Sequence, residues 1–251
     1  KVLSLLLHPF LSYHFLAKTK KGRLTITIKI NTSSFGLVSL LLLITMIVII
    51  DYGLGNLSSI KNMLFYLGSD AIISSNKADI ERASKLILPG VGSYDSGMKN
   101  MHDLDLIPII KEKVIIQKTP ILGICLGAQL LLEKSDEGNE SGLKLVEGKV
   151  SSFSEALKKK EIVLPIPNMG WRDVQFHSED KLSFRKSPSK FYFVHSYFFE
   201  LSDQNDFWNM SNYGFDFCSG FKKGNILGVQ FHPEKSHQYG MQLLKYFINY
   251  V

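Results

Sequence analysis

The chain has few cysteines, no long apolar run and, over its first 45 residues, no acidic side chains. Only Cys125 and Cys218 occur among 251 residues, which argues against a disulfide framework and favours a reducing, cytoplasmic location. The longest mostly apolar run, residues 37–50, is too short to predict a membrane span, and no membrane partner is expected. Neither a metal nor an organic cofactor is predicted, because no phosphate-binding glycine loop and no metal-ligand spacing is present.

The net charge is unevenly distributed along the chain. Residues 1–45 hold six of the 29 basic residues and no acidic one, so residues 46–251 hold 29 − 6 = 23 basic against 23 acidic residues. The formal charge of +6 therefore belongs to the first 45 residues, and the rest of the chain is neutral. A neutral domain does not predict a groove for phosphates, so no nucleic-acid partner is expected.

A domain boundary is predicted where this charge asymmetry ends. Met46 stands directly before the strand-like residues 47–51, and the remaining length suits one α/β domain of about 200 residues. We predict an N-terminal extension over residues 1–45 that is not part of the domain, and one domain over residues 46–251. The basic, acid-free composition of the extension leaves three origins open: a transit peptide, upstream translated sequence or an appended tag.

The apolar pattern predicts an α/β fold with a mainly parallel central sheet flanked by helices. Predicted core strands are residues 47–50, 71–74, 86–88 and 121–124. Predicted helices begin near Leu57 and cover residues 107–118 and 236–250. Shorter segments predict additional antiparallel strands at residues 149–153, 171–176, 191–194 and 215–219. Residues 133–141 and 158–160 are predicted to be loops.

A cysteine between glycines is the most informative feature of the sequence. Residues 121–124 indicate the end of a buried strand and residues 128–132 the first turns of a helix, so Cys125 is predicted on the turn between them. Small neighbours permit a strained turn that presents a nucleophile, and the helix N-terminus favours a thiolate. An inert core thiol is the alternative, because cysteine is commonly buried.

A second apolar strand, residues 226–231, ends directly before His232 and Glu234. An imidazole that accepts the thiol proton and a carboxylate that orients the imidazole are the partners that a nucleophilic cysteine requires. In open parallel sheets ligands collect at the carboxyl ends of the strands. Residues 89–92, Cys125 and His232 each follow a predicted strand, so we predict one site at that edge of the sheet.

Several motifs together resemble a known family. Residues 89–92 (Pro-Gly-Val-Gly), 123–129 (Gly-Ile-Cys-Leu-Gly-Ala-Gln) and 230–234 (Gln-Phe-His-Pro-Glu) are similar to the class I (triad) glutamine amidotransferases, which have a flavodoxin-like fold. Three further segments are similar to the HisH branch, the glutaminase subunits of imidazole glycerol phosphate synthase: residues 51–58, 167–171 and 193–197. The resemblance covers residues 46–251.

The resemblance implies a glutaminase in which Cys125 attacks the amide carbon of glutamine, His232 moves the proton and Glu234 orients the imidazole. It implies an oxyanion site formed by the backbone N–H groups of Leu126 and of Val91 or Gly92. It also implies four residues that bind glutamine, namely Gly90, Gly92, Gln129 and Ser196. His195 is expected to be structural, because the motif assigns the proton transfer to His232.

The resemblance also implies a partner, a (β/α)8 cyclase subunit (HisF-like) that receives the ammonia in histidine biosynthesis. The residues implied at this heterodimer interface are Asn168, Met169, Trp171 and Tyr192. The family usually has asparagine after Gly-Trp, whereas this chain has Arg172, which leaves the identity of the partner open. Three alternatives stay open: an ammonia supplier to a sugar amidotransferase in surface-polysaccharide synthesis, a peptidase-like cysteine hydrolase, and an inactive binding scaffold.

Overall fold

The computed structural model describes residues 46–176 and 189–251 in full, and three strands of the preceding segment. These strands, β1 (Ser4–His8), β2 (Leu11–Lys20) and β3 (Arg23–Ile30), form an antiparallel sheet in that order. The chain divides into two compact units, Lys1–Ile44 and Thr45–Val251. The extension over residues 1–45 stays a prediction, and the part of the apolar run before Met46 lies outside the described residues.

Five parallel strands form the centre of the second unit. In spatial order they are β15 (Ile226–Val229), β7 (Ile121–Cys125), β6 (Lys85–Gly90), β4 (Ile47–Ile50) and β5 (Ala71–Ser74). Every residue of β15, β7, β6 and β4 is buried, as expected for a parallel sheet covered on both faces, whereas the edge strand β5 is half-buried. The predicted parallel core is therefore confirmed.

Antiparallel strands extend this sheet beyond β15. They continue in the order β14 (Asp216–Lys223), β13 (Phe207–Asn212), β10 (Asn168–Phe176) and β11 (Ser189–His195). A side branch starts where β12 (Tyr197–Leu201) pairs with β14, and it adds β9 (Gly148–Ser152) and β8 (Lys134–Ser135). The α/β class with additional antiparallel strands is confirmed, although the sequence did not indicate β12 or β13.

Seven α-helices lie in the described part of the chain. They are α1 (Leu57–Tyr66), α2 (Lys77–Arg82), α3 (Tyr94–Asp103), α4 (Ile107–Lys111), α5 (Leu126–Leu130), α6 (Phe153–Lys159) and α7 (His237–Tyr250). None of the helices in these residues has both the length and the apolar character needed to cross a bilayer.

One local prediction holds except at its end, and two are wrong. The helix predicted over residues 107–118 is α4 continued directly by a π-helical segment, Glu112–Ile116, in which the Lys113 ammonium donates to the carbonyl of Glu81. The loop predicted at residues 133–141 contains β8, which pairs with β9. Residues 158 and 159 form the last turn of α6, because Phe153 and Leu157 bury one face of that helix.

Candidate active site

Cys125 lies on a strained turn between β7 and α5. It is the last residue of β7 and has φ +52° and ψ −114°, a combination that non-glycine residues seldom adopt. A Cβ added at Gly127 would lie 1.8 Å from the carbonyl oxygen of Leu88, and one at Gly123 would lie 2.6 Å from Cα of Ala128. The two glycines therefore let α5 pack against β6 and β7 closely enough to form the predicted turn.

His232 and Glu234 follow the end of β15, and they are hydrogen-bonded to each other. The imidazole Nδ1–H donates to Glu234 Oε1 over 2.7 Å, and the two side chains are only 1% and 2% exposed. The hydroxyl of Ser236 donates to the carbonyl of His232 over 2.6 Å and holds this segment as a short 3-10 helix. His232 Nε2 is buried and has no hydrogen-bond partner among the described residues, so it is available to a reacting group.

The charges around His232 favour its protonated form. Burial alone lowers the pKa of the imidazole, but a thiolate at Cys125 and the Glu234 carboxylate together raise it to about 10. The imidazolium form of His232 is therefore favoured when Cys125 is a thiolate. An imidazolium beside a cysteine stabilises the thiolate, which is the nucleophilic form of the residue.

A cavity of about 290 Å³ opens at the carboxyl ends of the parallel strands. It is lined by most of the residues predicted for the site: Val91, Gly92, Cys125, Leu126, Gln129, Ser196 and His232. Glu234 stands behind His232, where it contacts the imidazole rather than the space. Gly90 pairs with Cys125 across β6 and β7, and a Cβ there would lie 2.2 Å from the Tyr52 hydroxyl oxygen, so packing requires this glycine.

Two glutamine side chains form a buried chain of hydrogen bonds that ends at the sulfur of Cys125. Gln129 Nε2 donates to Gln230 Oε1 over 3.0 Å, and Gln230 Nε2 donates to Cys125 Sγ over 3.6 Å. An amide donor aimed at the sulfur stabilises negative charge on it. Gln230 was not predicted as a site residue, although its place in the motif before His232 was the available signal.

Glu137 is a second residue that the sequence analysis missed. It lines the cavity and is the only carboxylate among the described residues that do so. Burial raises its pKa, the backbone N–H of Tyr94 opposes this by donating to Oε2 over 3.0 Å, and Asp95 adds to the rise. A half-buried carboxylate suits a substrate ammonium group. No periodic signal in the sequence distinguishes Glu137 from its neighbours in the segment predicted to be a loop.

His195 lines the same cavity but has both ring nitrogens engaged. The Asn168 amide donates to Nε2 over 3.0 Å, and Nδ1–H donates to the carbonyl of Tyr197 over 2.6 Å. Burial, with smaller contributions from the nearby charges of His232 and Arg172, lowers the pKa of the imidazole to about 4, although the hydrogen bond to the Tyr197 carbonyl opposes this shift. His195 is therefore neutral at pH 7, as a structural role requires.

Acid is expected to destabilise the fold through His195. The unfolded chain takes up this proton near pH 6.5 and the folded chain only near pH 4, so stability falls as the pH falls between these values, by about 3 kcal/mol in total. Urea unfolding at about pH 7 and about pH 4.5 measures the loss. His195→Gln, which cannot take up the proton, is expected to lose correspondingly less; equal losses in both proteins would contradict this assignment.

The residues predicted for a partner interface lie at one end of β10 and β11. Met169 is 56% exposed and Trp171 41% exposed, and the Trp171 ring stacks on His237 with centroids 5.5 Å apart and contacts the edge of Tyr192 at 6.1 Å. Asn168 is fully buried, and its side chain holds His195 from within. A partner at this face would therefore contact Met169 and Trp171, whereas the buried Asn168 would make no direct contact with it.

The residues that the structure describes contain no group of three or more histidine, cysteine, aspartate or glutamate side chains placed to hold a metal ion. The polar side chains that line the cavity are one thiol, two imidazoles, one amide, two hydroxyls and one carboxylate. This set suits an organic substrate that carries an amide and an ammonium group.

Comparison with known proteins agrees with this arrangement. Residues 48–250 match the family model for class I glutamine amidotransferases. The chain is 50% identical over 204 residues to "imidazole glycerol phosphate synthase subunit HisH 2" of Methanococcus maripaludis, which covers 81% of this chain and 98% of that protein. It is 43% identical over 207 residues to the protein of the same name from Pseudomonas aeruginosa, which covers 82% and 100%.

Solved structures share the fold at low sequence identity. A crystal structure described as a glutamine amidotransferase superposes with a TM-score of 0.63 at 20% identity, over 80% of this chain and 96% of that one. The PurLQS structure from Thermotoga maritima gives a TM-score of 0.62 at 16% identity, over 82% and 98%.

Proposed function

Because the chain belongs to the class I glutamine amidotransferases, and within them to the HisH family, we propose that it is the glutaminase subunit of an imidazole glycerol phosphate synthase. It hydrolyses glutamine to glutamate and ammonia and delivers the ammonia to a (β/α)8 cyclase subunit. The observation that carries the proposal is the pairing of His232 with Glu234, both buried, at the cavity into which the strained turn places Cys125.

In the first half-reaction the Cys125 thiolate attacks the side-chain amide carbon of glutamine, and a C–S bond forms. The negative charge that develops on the amide oxygen is met by backbone N–H groups, for which Leu126 and the Val91–Gly92 segment are the candidates because both border the cavity. His232 then gives the proton on Nε2 to the departing nitrogen, the C–N bond breaks and ammonia leaves. A thioester to Cys125 remains.

In the second half-reaction water replaces ammonia. Neutral His232 takes a proton from the water as its oxygen attacks the thioester carbon, and the C–S bond breaks to release glutamate and restore the thiolate–imidazolium pair. Glu234 is the positioning residue throughout, because its bond to Nδ1–H leaves Nε2 as the nitrogen that faces the reaction. Water is the only reactant that the cycle consumes besides glutamine.

The lining of the cavity supports the binding of a free amino acid. The Glu137 carboxylate provides a negative charge opposite the α-ammonium group of glutamine. The predicted contacts Gly92, Gln129 and Ser196 have uncharged side chains and provide none. Gln129 also acts through Gln230, because one N–H of its amide donates to that side chain. A peptide bond in the interior of a polypeptide offers no such ammonium group, so this lining disfavours the peptidase alternative.

Delivery of ammonia to a barrel partner is supported by the exposed aromatic face that contains Trp171 and Tyr192. Aromatic residues are enriched at protein interfaces, and this face adjoins the cavity through Asn168 and His195. The two free thiols, Cys125 and Cys218, agree with a cytoplasmic location for the heterodimer.

We expect a barrel partner to stimulate the glutaminase activity. Completion of an oxyanion site by one further N–H donor is worth about 3 kcal/mol, or roughly a hundredfold in rate. Glutamate release would be measured with the chain alone, with the cyclase subunit of the same organism, and with that complex plus the cyclase substrate. Peptide amides serve as the control substrate. Absence of glutamine hydrolysis under all three conditions would overturn the proposal and support the inactive scaffold.

A second candidate differs only in the consumer of the ammonia. Arg172 stands at a position where the family usually has asparagine, and this departure leaves open a paralogous barrel that serves a sugar amidotransferase. Co-purification with each of the two candidate barrels, followed by a glutaminase assay of each complex, separates them. The partner that both binds and stimulates the chain is the physiological one.

A further inference from the structure

Arg172 is anchored to the interior of the protein rather than extended from the aromatic face. Its Nε donates to Asn168 Oδ1 over 3.1 Å, and Nη1 donates to the carbonyl of Trp171 over 3.2 Å. The guanidinium lies over the Tyr213 ring with Cζ 5.1 Å from the centroid. Three contacts from one planar group fix its orientation and not only its position.

An arginine gives a hydrogen-bond chain a direction, because its nitrogens only donate. The atom of Asn168 that faces Arg172 must therefore be Oδ1, and the amide nitrogen must point the other way, to His195 Nε2 at 3.0 Å. Nε2 then has to accept, so the proton of the neutral ring lies on Nδ1. That proton is donated to the carbonyl of Tyr197 over 2.6 Å.

This directed chain ends in the wall of the glutamine cavity. Asn168 is fully buried and His195 nearly so, while His195, Ser196 and Tyr197 all line the cavity that contains Cys125. If the Asn168 amide were reversed, its NH₂ group would face the Nε–H of Arg172, and its oxygen would face the unprotonated Nε2 of His195. In a buried site such a mismatch is unfavourable, and the wall would have to move to relieve it.

We infer that Arg172 is a positioning residue for glutamine, which holds the Ser196–Tyr197 wall by fixing the Asn168 amide so that it donates to His195 Nε2, while the Tyr197 carbonyl holds the proton of the ring on Nδ1. An asparagine at position 172 can turn its own amide round and either donate or accept, so it would not impose this direction. The expected change in the KM for glutamine rests on the proposed glutaminase function, whereas the hydrogen bonds of Asn168 and His195 do not depend on that function.

Arg172→Met removes the donors and keeps much of the side-chain length. We expect ¹⁵N NMR of histidine-labelled protein to show His195 as the Nδ1–H form in both proteins, with the Nε2 resonance of the variant shifted towards that of a nitrogen that accepts no hydrogen bond, because the Asn168 amide is no longer fixed as its donor. The KM for glutamine is expected to rise about tenfold, roughly what the loss of one buried hydrogen bond produces, while kcat changes less than about twofold. In Arg172→Lys the ammonium also only donates, so both properties should return towards those of the wild type.

Arg82→Met is the matched control, because Arg82 is an exposed arginine on α2 that pairs with Asp79. It should leave the His195 spectrum and the KM unchanged. The inference is overturned if wild-type His195 carries its proton on Nε2, or if Arg172→Met changes neither the spectrum nor the KM. It is also overturned if the spectrum changes without the KM, or if Arg172→Lys behaves like Arg172→Met. A wild type without glutaminase activity would instead refute the proposed function, and the NMR result would still stand.

Discussion

Cys125→Ser is expected to reduce glutamine hydrolysis by a factor on the order of 10⁴ while leaving synthesis from ammonium salts by the partner complex intact. The serine hydroxyl stays protonated beside His232, whereas the cysteine sulfur receives a hydrogen bond from Gln230 and faces an imidazolium. Removing the nucleophile stops the supply of ammonia but leaves the barrel chemistry untouched. Glutamate release and ammonium-dependent product formation measure the two steps separately.

Cys218→Ser is the matched control, because Cys218 is the other cysteine of the chain. Burial raises the pKa of its thiol to about 12, although a hydrogen bond with the backbone of Gly220 opposes this, so the thiol is unreactive at neutral pH. A diazo-ketone analogue of glutamine should label the wild type and Cys218→Ser once, at Cys125, and should not label Cys125→Ser. Labelling at Cys218, or near-normal hydrolysis by Cys125→Ser, would show that Cys125 is not the nucleophile.

Gly127→Ala is expected to destabilise the protein by about 3 kcal/mol and to displace the catalytic turn. The added methyl group would lie 1.8 Å from the backbone oxygen of Leu88, and a backbone atom cannot rotate away as a side chain can. Relief requires α5 to move away from β6, which carries Cys125 with it. Urea unfolding measures the loss of stability, and the rate of thiol labelling measures the displacement.

Gly97→Ala provides a matched glycine within another helix, α3. A Cβ there would meet the methyl ends of Leu130, the closest at 3.0 Å, and one methyl of Leu126 at 3.5 Å; these are side-chain ends that can shift. Alanine also has a higher helix propensity than glycine by about 1 kcal/mol, so the net change in stability should be small. If Gly127→Ala proves as stable as Gly97→Ala and its thiol is labelled at the normal rate, then the turn at Cys125 does not require the close packing of α5 on β6.

The residues that could be predicted from the sequence are those whose role depends on neighbours in the chain. Cys125 stands between glycines, and His232 and Glu234 lie two residues apart, so the turn and the imidazole–carboxylate pair are each local features. The apolar segments before Cys125 and His232 predict parallel strands, whose carboxyl ends must lie at the same edge of a sheet. A common site follows from that geometry without any knowledge of contacts.

Glu137 and Gln230 could not be assigned in the same way. The bond between Gln129 and Gln230 joins residues that are 101 positions apart, and the place of Glu137 in the cavity depends on a hydrogen bond from Tyr94, 43 positions away. The place of Gln230 in the motif before His232 was a local signal for that residue, but nothing in the type or spacing of Glu137 distinguishes it from ordinary surface residues. Local errors have a similar cause: residues 158 and 159 carry the charges typical of a loop, but the burial of Phe153 and Leu157 keeps them helical.

The sequence by itself determined the class of fold, the candidate nucleophile, and the imidazole with its carboxylate, because burial patterns and short motifs act over a few residues. Only the tertiary structure decided which side chains line the cavity and which way the hydrogen bonds among Arg172, Asn168 and His195 run. The physical reason is that the direction of a buried hydrogen bond depends on the donor that folding places opposite it, and that donor can come from any part of the chain.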